Sequence, residues 1–405
     1  MKKILSNSIV ILLIAVVVGL FTGRLVGEEG IRTILSIKQI TGQIIFFLVP
    51  LIVIGFVAPS ITALRQGATR LIFFAFLLAY VSSVGAATFA ALVGYQTIPL
   101  LNIRPAEEGL RQLPELIFRV DIPPVMSVMS ALLLAVFLGF GALRTSAVDF
   151  TRLLLQFRDI VLLLVRRVLM PVLPVYIAAN FAALSYEGDV ARLGIFLPVL
   201  AIVIVCQYLW LTLPYGTASA YSQKNGWKVL RYYGPAYLTA WGTMSSAATL
   251  GVSLDCVRRS PILSRKVTDF SIPLFANIHL CGSVFAETFL VCVVSQLLYG
   301  HLPDPATMTL FIILLGIFAV GAPGVPGGTV LASLGIVTSV LGFGDSGTAL
   351  LIAIFALQDG FGTACNITGD GALSLITDTY AKRHVPDLDA EAAGQLGVHD
   401  GGAQG

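Results

Sequence analysis

Charge is scarce in this sequence. Charged residues make up 12% of 405, against about 25% in a typical soluble domain. The 25 basic and 22 acidic side chains nearly cancel, leaving a formal charge of +3. That small net charge says nothing for or against nucleic acid, and no nucleic-acid partner is expected. Cysteine is also sparse: Cys206, Cys256, Cys281, Cys292 and Cys365 are odd in number, lie mostly in or beside apolar segments and lack metal-ligand spacing. A disulfide framework and a zinc site are therefore not expected, and the thiols read as small apolar fillers. Catalytic signatures are missing too. There is no Gly-x-Ser-x-Gly, phosphate loop or paired metal-ligand motif. His279 with Ser283 comes nearest to a nucleophile–base dyad, but a helix break is expected between them, so the chain does not read as an enzyme.

What is abundant is hydrocarbon. The sequence is 57% hydrophobic with a mean hydropathy of +0.90, the composition of a polytopic membrane protein. Runs of about 20 apolar residues, enough to cross a bilayer, fall near 8–26, 40–64, 71–98, 123–143, 159–185 and 193–221. Met1-Lys2-Lys3 ahead of the first run resembles a signal peptide, but no small-residue cleavage site follows, so an uncleaved first span is expected. The stretch from His384 to Gly405 has no apolar face and reads as a disordered cytoplasmic tail.

Beyond residue 228 the apolar runs are interrupted at their centres, by Ser245-Ser246-Ala247-Ala248-Thr249, by Asn277 to Ser283 and by Gly321 to Gly328. Non-helical backbone at membrane depth is tolerated only where protein shields it or it lines a cavity. The first and third breaks read as tips of re-entrant hairpins at about 229–260 and 307–342, the second as an unwound point in a spanning helix. Paired broken segments point to a transporter binding site. With eight spans and the two hairpins, Lys2/Lys3, Arg65/Arg70, Arg144/Arg152/Arg158, Lys224/Lys228/Arg231, Arg258/Arg259/Arg265/Lys266 and Lys382/Arg383 all fall on one side. The positive-inside rule then puts both termini in the cytoplasm, and the compact loops suggest a prokaryotic inner membrane.

The last apolar run carries Asp359, Thr363, Asn366 and Asp370, spaced 4, 3 and 4 apart along one helical stripe. Ionisable groups at that depth usually face a cavity or a transport pathway. The stripe reads as a site for a small polar solute or a cation, with a polar seam between helices as the plain alternative.

These motifs resemble the dicarboxylate/amino acid:cation symporter family. The last helix of that family reads Asp-x-x-Arg-Thr-x-x-Asn-Val-x-Gly-Asp, and here it reads Asp359, Gly362, Thr363, Asn366, Ile367, Gly369, Asp370. The serine-rich first hairpin and the Gly-Val-Pro-Gly second hairpin carry the rest of the likeness. The resemblance implies an all-α membrane protein of eight transmembrane helices and two re-entrant hairpins, with inverted repeats. It implies a homotrimer whose scaffold (1–70 and 123–185) is static while a transport domain (71–100 and 193–383) moves as an elevator. It also implies roles: Asp359 for a substrate ammonium, and Asn366 with the backbone near Ser245 and Ser246 for the α-carboxylate. Thr363, Ser283, Val325, Pro326 and Gly327 would supply further substrate contacts, and Asp370 with Asn366 a sodium site.

Three departures reshape that expectation. Gly362 stands where acidic-substrate members carry an arginine that clamps a second carboxylate, a task suited to the guanidinium fork. Met244 replaces an arginine of some prokaryotic relatives. A neutral amino acid, with a bulky or apolar side chain in the space at Gly362, is the expected substrate. The family's Asn-Met-Asp-Gly-Thr break reads His279-Leu280-Cys281-Gly282-Ser283, which removes a hard oxygen ligand for sodium. Glu287 falls where proton-coupled members keep a glutamate. Coupling to protons through Glu287, His279 or both, with at most one sodium site and no cofactor, is the leading expectation. The alternatives are a sodium- or proton-coupled glutamate, aspartate or dicarboxylate symporter drawing its cation from near Arg231 or Arg258, and a membrane sensor that binds ligand without moving it. Both His279 and Glu287 also have a plain reading as hydrogen-bonded core residues.

Overall fold

The computed structural model describes residues 8–62, 69–101, 113–187, 196–322, 324 and 326–384. All regular elements among them are helical. In chain order they are α1 (Ser8–Leu25), α2 (Glu28–Thr62), α3 (Thr69–Thr97), α4 (Val128–Thr145), α5 (Val148–Leu164), α6 (Met170–Glu187), α7 (Phe196–Ser222) and α8 (Trp227–Leu230). They continue as α9 (Gly234–Thr243), α10 (Ser246–Arg258), α11 (Arg265–Ile278), α12 (Cys281–Tyr299), α13 (Pro305–Val320), α14 (Gly328–Ser339) and α15 (Asp345–His384). Most are apolar around their whole circumference, as helices surrounded by protein or lipid must be. Their ends are set by local chemistry. Ser127, Ser245, Ser264 and Asp304 accept hydrogen bonds from the first-turn N–H groups of α4, α10, α11 and α13. Gly300 closes α12 in the left-handed region.

The helices pack in two groups. In one, α2 packs against α4, α5 and α6, and α1 against α6. In the other, α15 is the axis, wrapped by α3, α7, α9, α11 and α12, with α13 against α3. Helix α14 bridges them, touching α2 and α4 on one side and α13 and α15 on the other. The helix pairs α9/α10 and α13/α14 each fold back on themselves, at the places where the sequence predicts hairpins.

Among the described residues, five helical stretches are long and apolar enough to cross a membrane: Glu28–Pro59, Arg70–Leu101, Phe196–Ser222, Val267–Tyr299 and Asp345–His384. A bent pair, Val148–Leu169 with Pro174–Ala183, makes a sixth. The expected eight are not all reached by this measure, because α1 and α4 contribute only the shorter apolar stretches Ile14–Leu25 and Leu133–Thr145. The run expected at 159–185 is not one straight helix either. It turns by 45° after a π-helical segment, Val165–Leu169, next to Pro171 and Pro174, which lack the N–H that an unbroken ladder needs. The exposed Arg167 sits at that bend. Lys2, Lys3, Arg65, Asp189, residues 102–112 of the loop at 101–122 and the tail beyond His384 lie outside the described residues.

Candidate functional site

The two hairpin tips meet each other and the middle of α15. Met244 ends α9 in the left-handed region at φ 49° and is buried, which leaves Ser245 extended at the start of α10. Ser245 Oγ donates to the carbonyl of Gly324 in the other tip, 2.8 Å away. The approach is close: a Cβ on Gly324 would stand 3.7 Å from the Ala247 nitrogen and 3.8 Å from Ser246 Cβ. Pro326 and Gly327 turn the chain into α14, and Gly327 has φ +72°, a conformation glycine adopts without strain. Its N–H donates to Asp359 Oδ2 at 2.7 Å. Asp359 is thereby held under the second tip and buried, with Thr363 one turn further along α15 and also buried. Val325 lies outside the described residues.

Farther along α15 the stripe engages the break between α11 and α12. His279 leaves the helix in an extended conformation, so the N–H groups that follow have no partner within α11. Asn366 supplies it: Oδ1 accepts from Gly282 N at 2.7 Å and Ser283 N at 3.1 Å, while Nδ2 donates to Ser283 Oγ at 2.9 Å. The His279 ring bridges two helices. Nδ1 lies 2.8 Å from Asp370 Oδ1 and Nε2 lies 2.9 Å from Ser82 Oγ on α3. Where the Asp370 carboxylate is ionised it only accepts, so Nδ1 then carries the proton and the Ser82 hydroxyl faces Nε2. Gly369 makes room for the ring, since a Cβ there would be 2.8 Å from His279 Cε1. Asp370 Oδ2 has no hydrogen-bond partner among the described residues.

Glu287 stands two turns beyond the break on α12, fully buried. Ser333 on α14 donates to its Oε1, and Oε2 has no partner among the described residues. The carboxyl therefore ties the second hairpin to the broken helix.

The predicted residues thus gather in three linked places: Asp359, Ser245, Ser246 and Gly327 at the tips, Asn366, Ser283, His279 and Asp370 at the break, and Glu287 against α14. Two expectations are qualified. Gly362 does not simply leave open space, because a Cβ there would stand 3.4 Å from Ser283 Cα, N and Oγ. The cations considered for an acidic substrate are engaged elsewhere. Arg258 binds Asp269 at 2.8 and 3.0 Å, and Arg231 lies over the Tyr232 ring.

Sequence reasoning missed Ser333 and a pair of glutamines. Gln207 Nε2 donates to the Gly282 carbonyl at 2.9 Å and to Gln358 Oε1 at 3.3 Å, which satisfies the other side of the break. Both glutamines are buried. A lone amide in the apolar run of α7 was the available signal, since such a group needs a partner in hydrocarbon.

An all-helical, apolar chain whose two folded-back helix pairs converge on buried carboxylates has the architecture of a membrane transporter. The family model described as the Sodium:dicarboxylate symporter family matches residues 9–380. The chain belongs to that family, whose members are transporters and not enzymes. Among curated relatives, the excitatory amino acid transporter of Caenorhabditis elegans is 30% identical over 169 residues, 42% of this chain and 33% of that protein. Human excitatory amino acid transporter 2 is 26% identical over 204 residues, 50% of this chain and 32% of that protein. Excitatory amino acid transporter 1 of Ambystoma tigrinum is 27% identical over 172 residues, 42% of this chain and 31% of that protein. The matched segments span about a third of the relatives' length.

Proposed function

We propose that this protein is a secondary symporter of a neutral, zwitterionic amino acid, driven by protons with reduced dependence on sodium. The observation that carries the reading is the composition of the tip junction. Asp359 is held against the second tip, while Gly362 and Met244 leave the two arginine positions of the family's acidic-substrate members without a cation. A substrate ammonium would displace the Gly327 N–H from Asp359, and backbone N–H groups at the tip serines would take the α-carboxylate, as helix N-termini do. The same displacement frees the second hairpin, which would make it a gate.

On the coupling side, Asn366 Oδ1 and Asp370 Oδ1 are already bonded to N–H groups and to His279. Of the oxygens expected to hold sodium, these two are committed in this conformation and, among the described residues, Asp370 Oδ2 alone is not, while the imidazole supplies an internal cation when protonated. Glu287, bonded to the second hairpin through Ser333, is placed to link its protonation to the movement of that hairpin. The packing supports a scaffold of α1, α2, α4, α5 and α6 and a transport domain built around α15, moving as an elevator within a homotrimer of eight-span subunits. Both termini would be cytoplasmic, in a prokaryotic inner membrane.

A second reading, an acidic substrate, is favoured by one feature besides the names of the relatives. Arg158 lines a cavity of about 430 Å³ together with Ala247, Gly321 and Gly324 beside the tips. It is paired there with Asp159 at 3.1 Å, which offsets its charge.

Uptake into proteoliposomes under an imposed proton or sodium gradient, across a panel of amino acids, tests both. Proton-driven uptake of neutral amino acids, lost in Asp359→Ala, is the expected result. Sodium-driven glutamate uptake that falls in Arg158→Gln would establish the second reading. Ligand-dependent stabilisation without flux would mark a sensor.

A further inference from the structure

A cavity of about 560 Å³ separates α7 from the first hairpin, within the size range of small-molecule sites, about 300–1,000 Å³. One wall is a single face of α7: Tyr208, Leu211, Thr212, Tyr215, Gly216 and Ser219. From first to last these span about 16 Å of helix at 1.5 Å per residue. The facing wall is Leu230, Tyr233, Gly234 and Tyr237, again at helical spacing, and Thr368 of α15 also lines the cavity. The shape is a slot running along the two helices.

Both ends of the slot are tied and its middle is held open. At one end the Tyr208 and Tyr237 hydroxyls meet at 2.5 Å with their rings stacked. At the other, Ser219 Oγ accepts from Gly226 N at 2.9 Å. Between them α7 and α9 barely touch. Gly216 and Gly234, one on each wall, face open space, with nothing within 4 Å of an added Cβ.

Chemistry selects the occupant. No charged side chain lines the slot, so a zwitterion there would lose its hydration without an ionic partner. The flanks are apolar and outward-facing, with Leu209, Leu213 and Leu238 more than half exposed, as on a surface that meets lipid. At the Ser219 end stands Trp227, 70% exposed, a residue type that favours the membrane interface. Next to it Lys228 and Arg231, the latter lying over the Tyr232 ring, are exposed and form no ion pair among the described residues. An apolar slot that starts at an interfacial tryptophan and two cations matches an anionic lipid, chain inward and headgroup at the rim.

We propose that the slot between α7 and the first hairpin binds one acyl chain of an anionic phospholipid whose headgroup lies at Lys228 and Arg231. This site is separate from the junction at Asp359 and does not depend on which solute is carried.

Trp227 provides the probe. In a Trp210→Phe, Trp241→Phe background it is the sole tryptophan of the three. The full chain is reconstituted in phosphatidylcholine bilayers, and brominated phosphatidylglycerol or brominated phosphatidylcholine is titrated in. Saturable quenching at low mole fraction by the glycerol lipid, over a linear background from the choline lipid, is the expected result. Gly216→Leu or Gly234→Leu fills the slot and abolishes the saturable part while the thermal transition is kept. Lys228→Gln with Arg231→Gln lowers the preference for the anionic lipid by roughly 10- to 30-fold, given about 1 kcal/mol per basic residue at an anionic surface. Linear quenching by both lipids, or saturable quenching that survives both leucine variants, overturns the site. Equal saturable quenching by the two lipids overturns the anionic assignment.

Discussion

Two stretches of one helix treat the same residue type differently. Asp359 is held by a backbone N–H from a glycine turn besides the neighbouring Thr363 hydroxyl on its own helix, and a small rotation of Gly327 would break its tie to the second tip. Asp370, three turns along, faces an imidazole that is itself fixed to α3 through Ser82. Beside it Asn366 makes three hydrogen bonds to the α11–α12 break. Position along the stripe therefore separates a replaceable contact from a permanent one. A partner on a mobile tip suits exchange with a ligand, while partners on three packed helices suit a fixed joint.

The contrast is broken most directly at the joint. His279→Ala leaves a buried carboxylate without its partner, at a cost of about 3–5 kcal/mol. A fall in thermal stability and in recovered folded protein is expected, part of it restored by adding Asp370→Asn. If the single variant unfolds like the parent, the joint is not one. Asp359→Ala should do the reverse: uptake falls roughly 30-fold or more, as for loss of one partner of a buried charge contact, with the thermal transition nearly unchanged. A large stability loss there would erase the distinction.

Smaller changes sharpen it. Ser333→Ala removes the donor to Glu287 and should cost about 1–3 kcal/mol, read by thermal unfolding. Glu287→Gln keeps an acceptor for Ser333 and should preserve stability while proton-driven uptake is lost and solute exchange continues. Gly369→Ala drives a methyl to 2.8 Å from His279 Cε1, and such overpacking costs about 1–3 kcal/mol. The smallest effect is expected at Asp304, far from the stripe. Its carboxylate caps α13, accepting from Ala306 N and from the N–H and hydroxyl of Thr307. The Thr307 bonds hold its pKa below the ordinary 3.8. A depressed carboxylate stabilises the fold above its unfolded pKa of about 3.9, and that contribution fades as pH falls through the folded value. Asp304→Ala should therefore lower the unfolding temperature slightly at neutral pH, leave flux alone and make no difference in strong acid.

Much of this was legible beforehand, for identifiable reasons. Glycine, proline and serine inside apolar runs mark broken helices because backbone groups in hydrocarbon need partners, and all three breaks fall where those residues stand. The stripe from Asp359 to Asp370 follows from helical periodicity alone. What periodicity cannot supply is which neighbour each polar group meets. Ser333 is one of two serines in α14 and acquires meaning only when α14 lies against α12. Gln207 stands alone among apolar residues of α7, and its partner, the Gly282 carbonyl, becomes available only after the helix has unwound. The bend at Val165–Leu169 was hidden by an apolar run that reads as continuous when arginines and prolines are averaged into it.

Helix α15 has 40 residues, about 60 Å at 1.5 Å per residue, roughly twice the hydrocarbon thickness of a bilayer. Nearly every residue from Gly347 to Thr379 is covered by protein. The helix thus lies inside a sleeve of protein. Asn366 and Asp370 are engaged by Gly282, Ser283 and His279 at the α11–α12 break, partners within the group packed on α15, so these contacts do not involve lipid. In the elevator proposed above, a change of depth would alter what touches the outside of that sleeve and leave the Asn366 and Asp370 contacts within it untouched.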